Sequence, residues 1–386
     1  MTTFDERLDD ALKAIRARGQ WRELLPSALA DEGRIMRGGR ALIDFSSNDY
    51  LGLARHPLLA ERAGEWAARH GAGAGASRLV TGTGEAHLAV EARIAAFKQA
   101  EAALLFASGW QANAAVIPAL VAAAPGAVVF ADRLVHASMH AGCAAAGVRQ
   151  VRFRHNDLAH LEDLLATRGA GAPARIILTE SVFSMDGDRA DIAALAAIAQ
   201  AHDALLYVDE AHATGVLGPQ GRGLCAGVAG VDVVMGTFSK AFGAFGAYVA
   251  GSRRLRDYLV NACGGFIFST APPPAVLGAI DAALDLVPGM EPQRAHLAML
   301  GARLREGLAA RGFDTAGSST QIVPAIIGGE AETLALSARL GGAGMLAAAI
   351  RPPTVPKGTS RLRLALRAGH GEAEVDALLG ALAERG

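Results

Sequence analysis

Cysteine is nearly absent from this chain of 386 residues: Cys143, Cys225 and Cys263 are odd in number and far apart. That excludes a disulfide framework and a clustered cysteine zinc site, and it predicts a reduced, cytoplasmic setting. Charged residues make up 19%, below the ~25% usual for soluble domains. With 37 basic residues against 38 acidic ones the formal charge is −1, so the basic excess that nucleic-acid binders carry is missing. Apolar runs are short and interrupted, and none approaches the ~20 residues a membrane-spanning helix needs. The opening MTTFDERLDDALKAIRARG mixes acids, bases and isolated leucines, with no apolar signal core. No nucleic acid and no membrane is expected as a partner. What the chain does have is 51% hydrophobic residues and 46 glycines, which excludes a disordered polymer.

A chain of this length can bury a large core and holds two or three structural units. Residues 1–45 read as a leader of one or two amphipathic helices, followed by Gly38-Gly39 and the apolar run ALIDF. From 46 to 285, apolar runs (EAALLFAS, GAVVFAD, ARIILTE, ALLYVDE, VDVVMGTF, GAYVAG) alternate with alanine-rich helical stretches such as QANAAVIPALVAAA and DIAALAAIAQAHD. Short continuous apolar runs separated by helices predict a mostly parallel sheet buried on both faces. LVPGMEPQ, residues 286–293, has the prolines and glycine of a junction. After it, QRAHLAMLGARLREGLAARG reads as a helix and QIVPAIIG and RLRLAL as strands. This predicts a small α+β unit over 286–386.

Two apparent motifs fail on context. GAGAGAS, Gly71 to Ser77, follows the helical LLAERAGEWAARH and not a strand, so it is a loop and not a dinucleotide fingerprint. His136 and His140 have helical metal-ligand spacing but no companion ligand set, so no metal is expected.

Lysine is the informative rarity. It occurs only at Lys13, Lys98, Lys240 and Lys357. Lys13 and Lys98 lie in helical segments with polar neighbours and read as solvated; Lys357 lies in the loop TVPKGTS. Lys240 follows an apolar strand through TFSK and precedes AFGAFGAYVAG. Small and aromatic surroundings desolvate its amine, which favours the neutral, nucleophilic form that Schiff-base chemistry requires. Asp209 ends the apolar strand ALLYVD, with His212 three residues on. A carboxylate at the carboxyl end of a parallel strand lies where such folds bind ligands. Its partner is either Lys240 or the protonated ring nitrogen of a pyridine cofactor. Ser108-Gly109-Trp110 stands between a strand and a helix, where free backbone N–H groups suit an anion, although a plain cap by Ser108 has the same sequence. Thr237 and Ser239 can add hydroxyl donors.

With these residues in view, the chain resembles the α-oxoamine synthases, pyridoxal-phosphate enzymes of the aspartate-aminotransferase fold type. The likeness runs from about Trp21 onward through FSSNDYLGL, SRLVTGTGEAHLAVE, ASGWQAN, DRLVHAS, TESVFSMDGD, VDEAHATGVLGPQGRG, GTFSKAFG and IRPPTVPKGTSRLRL. It implies the α/β fold type I of pyridoxal-phosphate-dependent transferases, with a large domain on a mostly parallel sheet and a small α+β C-terminal domain. It also implies pyridoxal 5'-phosphate as cofactor and a homodimer with the active site at the subunit interface. Lys240 would carry the cofactor, Asp209 would pair with its ring nitrogen, and His212 would contact its phenolic oxygen. His136 would stack on the ring and face the substrate. Ser108, Gly109, Trp110, Ser184, Thr237 and Ser239 match cofactor-holding positions, and Ser269 and Thr270 match a segment that reaches the partner's phosphate. Arg22, Asn48, Thr354 and Arg363 match substrate positions, with Arg363 as the carboxylate clamp on the same strand face as Arg361. The last motif points within the family to the condensation of L-alanine with a pimeloyl thioester, of CoA or of an acyl carrier protein, in biotin synthesis. The alternatives are glycine with succinyl-CoA or acetyl-CoA, serine with a long acyl-CoA, or transamination.

Overall fold

Thr3 and Glu6 form a reciprocal capping box that starts the first helix, α1 (Phe4–Ala17), which buries none of its residues. The computed structural model describes residues 3–30 and 34–382. After α1 the leader departs from the helical expectation. It forms an antiparallel meander of β1 (Ser27–Leu29), β2 (Arg34–Arg37) and β3 (Arg40–Asp44). Gly38 and Gly39 have φ of 57° and 74°, the left-handed pair that a tight two-residue hairpin requires, and this turn breaks any helix there.

The main sheet has seven strands: β4 (Ala102–Phe106), β5 (Val128–Asp132), β6 (Val151–Phe153), β7 (Arg175–Glu180), β8 (Ala204–Asp209), β9 (Val233–Thr237) and β10 (Ala247–Gly251). Their order is β4-β10-β9-β8-β7-β5-β6, and only β10 runs against its neighbours. Each apolar run expected as a strand between 102 and 251 is one. Side chains alternate between two apolar clusters: Ala103 and Leu105 enter one, Leu104 and Phe106 the other. A sheet buried on both faces must be apolar throughout, which is why these runs do not alternate with polar residues. Of the helices α2 (Pro57–His70), α3 (Glu85–Lys98), α4 (Gly109–Ala123) and α5 (Ala137–Ala145), α3 and α4 pack directly on the sheet, while α5 packs on α4 and α2 on the helix Pro274–Leu286.

Beyond the sheet, a single 3-10 turn, Val287–Gly289, joins the helices Pro274–Leu286 and Glu291–Ala309. Then come β11 (Ile322–Gly328), β12 (Met345–Leu346), β13 (Ala348–Ile350) and β14 (Ser360–Ala365). β11, β14 and β13 form an antiparallel sheet, whereas β12 lies parallel to β3 and completes the sheet begun by the leader.

One lysine is not where the sequence suggests. Lys98, expected in solvent, is buried: its ammonium lies 2.6 Å from Glu210 Oε2 and also donates to the Arg222 carbonyl. The preceding turn of its own helix, Ile94 to Phe97, is apolar, and its charged partner comes from 112 positions away. The resulting attraction outweighs burial and raises its pKa.

Candidate active site

Four neighbouring parallel strands end in polar residues. β5, β7, β8 and β9 finish at Asp132, Glu180, Asp209 and Thr237, all buried. Since the strands point the same way, these side chains gather along the sheet's carboxyl edge, where open α/β sheets bind ligands. Buried polar groups there need partners, and they find them in loops.

Among the described residues, the groups that hydrogen-bond Asp209 are neutral, and none is a cationic side chain. Its Oδ2 accepts from Asn113 Nδ2 at 2.8 Å, and its Oδ1 from the Ala211 N–H at 2.8 Å. Asn113 accepts in turn from the Tyr207 hydroxyl (2.7 Å) and also donates to Ser138 Oγ (2.9 Å). Ser138 meets His136 Nδ1 at 2.7 Å, and its own N–H points to the same nitrogen at 3.3 Å. With two donors on Nδ1, His136 carries its ring proton on Nε2. One hydrogen-bonded chain thus orients Asp209 and His136 together. Glu180 stands level with Asp209 on the adjacent strand, with its Oε1 buried and unpaired. Burial first, and the Asp209 charge second, raise its pKa well above the usual carboxylate range.

Lys240 follows β9. Its Nζ lies 2.8 Å from His212 Nε2, and His212 Nδ1 lies 2.6 Å from the Tyr50 hydroxyl. Burial lowers the lysine pKa from 10.5 to about 8, against the pull of Asp209 and Glu180. Burial also pushes His212 well down, and Lys240 and Arg363 add to that effect. The histidine is neutral.

Ser108 Oγ caps α4 by accepting from the Gln111 N–H at 3.1 Å, and the first-turn N–H groups of Gly109 and Trp110 have no intrahelical partner. Thr237 and Ser239 share a 2.8 Å hydroxyl contact on the next loop. Ser269 is drawn to the same helix start, accepting from Gln111 Nε2 at 2.6 Å, while Thr270 is exposed beside Ser77. The exposed Trp110 meets the His136 ring edge-on at 6.0 Å between centroids.

Arg363 on β14 is buried. Its Nε donates to the Ser184 carbonyl at 2.6 Å and its Nη2 to Asn48 Oδ1 at 3.1 Å, so Ser184, Asn48 and Arg363 come together. Arg361, two residues earlier, pairs with Asp186 in the same loop as Ser184. The structure leaves the remaining two substrate candidates at the margin. Thr354 is exposed in the proline-rich loop, and Arg22 is exposed between α1 and β1. The two segments are tied by Arg351, which donates to the Gly19 carbonyl at 2.7 Å.

Sequence reasoning missed Tyr50, Asn113, Glu180 and the His155 bridge. His155 Nδ1 lies 3.0 Å from Asp132 and its Nε2 2.8 Å from Asp188, joining the loops that carry His136 and Ser184. For Glu180 the overlooked signal was a polar residue closing a parallel strand, the same signal that singled out Asp209; Tyr50, Asn113 and His155 close no strand.

The donor set fits a phosphorylated pyridine aldehyde. Free N–H groups and hydroxyls suit the phosphate, Asp209 without a cationic side chain suits a protonated ring nitrogen, and a largely desolvated amine suits the carbonyl. A family model described as aminotransferase class I and II matches residues 40–382. An 8-amino-7-oxononanoate synthase from Gluconacetobacter diazotrophicus is 60% identical over 387 residues, covering 99% of this chain and 97% of its own. Among solved structures, a serine palmitoyltransferase from Sphingomonas wittichii superposes with a TM-score of 0.90 at 31% identity, over 97% of this chain and 95% of that one. An SPT structure holding PLP superposes at 0.91 with 27% identity, covering 98% and 97%.

Proposed function

The chain belongs to the class I and II aminotransferase family, in its α-oxoamine synthase branch, and from that premise we propose that it condenses L-alanine with a pimeloyl thioester. The products are 8-amino-7-oxononanoate, CO₂ and the free thiol, and the cofactor is pyridoxal 5'-phosphate. The observation that carries the reading is the convergence on one sheet edge of a largely desolvated lysine, a carboxylate without a cationic side chain and a fixed guanidinium: Lys240, Asp209 and Arg363.

Lys240 would hold the cofactor covalently, Asp209 its ring nitrogen, and Gly109, Trp110, Thr237 and Ser239 its phosphate. When bound, pyridoxal phosphate withdraws electrons from the α-carbon of the amino acid. With its amine free, Lys240 would take the α-proton at Nζ. With a pKa of about 8, roughly a tenth of such amines are unprotonated at pH 7, against about one in three thousand for an ordinary lysine. Asp209, oriented by two hydrogen bonds, would hold the ring proton that makes the electron withdrawal effective. Arg363 receives the alanine carboxylate. Its Nε is already committed to Ser184, so the guanidinium plane is set before substrate arrives, and this preorganisation favours a paired contact. Thr354 would present a hydroxyl at the thioester side, and Arg363 would keep the carboxylate oriented until it leaves as CO₂, its bonding pair taken up by the electron-withdrawing cofactor.

We take residues 286–386 as a small unit that carries Arg363 and Thr354 over the large one. A homodimer belongs to the same reading, with Ser269 and Thr270 completing the partner's phosphate site. Trp110 and the 85% exposed Phe268 supply apolar surface beside that segment. Sedimentation of a fully active monomer would remove it. A cytoplasmic location is part of the proposal; no helix among the described residues is long and apolar enough to cross a membrane.

The test supplies alanine, glycine or serine with pimeloyl, succinyl, acetyl or palmitoyl thioesters, the pimeloyl group on both CoA and acyl carrier protein. Alanine with pimeloyl is expected to lead in kcat/KM, with some turnover of neighbouring chain lengths, since one methylene is worth only ~1–3 kcal/mol. A lead for any other pair, or half-transamination to an oxo acid, overturns the substrate reading.

A further inference from the structure

Two buried guanidinium groups lie side by side on β14. Arg361 and Arg363 are two residues apart on one strand face, so their Cα atoms are about 6–7 Å apart. Both reach the loop that carries Ser184, but they end differently there. Arg363 donates to the Ser184 carbonyl, to Asn48 Oδ1 and to the Tyr50 hydroxyl, all neutral acceptors. Its charge stays uncancelled and is felt at Lys240. Arg361 instead meets an anion. Its Nη1 donates to Asp186 Oδ1 and, at 3.4 Å, to the Met185 carbonyl, and its Nε donates to the Thr359 carbonyl at 3.0 Å. The pair is shielded, with 5% of the arginine side chain and 14% of the aspartate side chain exposed. Asp186 is also presented by a loop with little room to move. The next residue, Gly187, has a φ of 70°, and a Cβ there would collide with the Ile322 carbonyl of β11. Its own carbonyl accepts from the Ser319 N–H at 3.1 Å and from Thr320 Oγ1 at 2.8 Å.

From this arrangement we propose that Asp186 is a positioning residue that sets charge specificity: by taking up Arg361, it leaves the carboxylate site with one free guanidinium and matches it to a monocarboxylic amino acid. Two arginines and one aspartate give the group a formal charge of +1, enough for one carboxylate. A second carboxylate on the substrate would find the neighbouring guanidinium already paired, and it would meet the Asp186 anion. The inference rests on the function proposed above, in which Arg363 receives the substrate carboxylate; it adds why that site takes one carboxylate and not two. Removing the Asp186 charge adds one positive unit. A unit charge acting over roughly 7–10 Å, in surroundings of effective dielectric ~20, changes affinity for a second carboxylate by about tenfold or more.

The test measures binding, not turnover, in the cofactor-loaded protein. L-Alanine and L-aspartate are titrated through the change they cause in the visible band, and acetate and malonate through calorimetry and competition with alanine. In Asp186→Asn the aspartate-to-alanine and malonate-to-acetate affinity ratios should each rise about tenfold or more. Arg361→Gln leaves the Asp186 anion alone, and both ratios should fall by a similar factor. Asp186→Asn combined with Arg361→Gln restores the total charge and should return both ratios to within about twofold of the unaltered protein. The two single variants shift the ratios in opposite directions, so either one that folds is decisive. An ion pair with only a structural role would lower thermal stability in each single variant and leave the ratios alone. Arg363→Met locates the carboxylate itself. Unchanged ratios in the Asp186 and Arg361 variants, with alanine affinity lost in Arg363→Met, overturn this inference alone. An unchanged alanine affinity in Arg363→Met would place the carboxylate elsewhere and overturn the proposed function along with it.

Discussion

Raising the pH should loosen the active-site loops through His155. The imidazole lies between Asp132 and Asp188, at 3.0 and 2.8 Å, with 16% of its side chain exposed. Burial opposes its charge, but hydrogen bonds to the two carboxylates prevail and lift its pKa from 6.5 to about 10. In the unfolded chain it titrates near 6.5. Below that value both states bind the proton and the stabilisation is complete. Between 6.5 and about 10 only the folded state keeps it, so stability falls steadily as the pH rises through that window. At 1.36 kcal/mol per unit the whole shift corresponds to about 5 kcal/mol; partial solvation reduces the expected loss to about 2–4 kcal/mol. The assay is urea unfolding at pH steps from 6 to 10, for the unaltered protein and for His155→Gln. The variant should be weaker by about 3–5 kcal/mol at pH 7, because Asp132 is left buried without its cation. It should also lose the extra alkaline slope. Parallel slopes for the two proteins, within about 0.5 kcal/mol, would refute the bridge as a charged one.

Asp209→Asn should still bind cofactor but exchange the α-proton of alanine slower by orders of magnitude, because an amide cannot hold a proton on the ring nitrogen; deuterium exchange followed by NMR measures it. The same change removes a charge that raises the Lys240 pKa, so that value should drop below about 8. Lys98→Met should destabilise by about 3–5 kcal/mol in thermal or urea unfolding, since Glu210 would be left buried and unpaired; Lys98→Met combined with Glu210→Leu should recover most of it. Borohydride reduction of the loaded protein should place the cofactor on Lys240, and peptide mapping to Lys13, Lys98 or Lys357 would refute that assignment.

What could be read beforehand was what is local. Lys240 and Asp209 stood out because each closes an apolar run, and the run itself announces a strand buried on both faces. Tyr50 gave no such sign: an aromatic residue in a turn reads as core, and only the fold brings it to His212 from 162 positions away. Glu180 ends its strand just as Asp209 does, but the buried neighbourhood that raises its pKa depends on strand register, which no single segment encodes. The leader misled for a related reason. Its strands pair across a Gly-Gly turn and with the two residues of β12, and a strand that short has no periodicity to detect.

That last pairing has a consequence for how the chain is made. β3 lies beside β12, and the Ser46 hydroxyl donates to the Leu346 carbonyl across 300 positions of sequence. A ribosome adding ~5–20 residues each second would leave β3 waiting about 15–60 s for its partner. In that interval β4 through β10 all emerge, so the seven-stranded sheet can assemble around an N-terminal hairpin whose outer edge is still open. An unpaired edge is a template for another strand. A chain cut short before Met345 would keep that edge permanently, and stalled or truncated products should therefore aggregate through residues 40–44 even when the rest of the fold has formed.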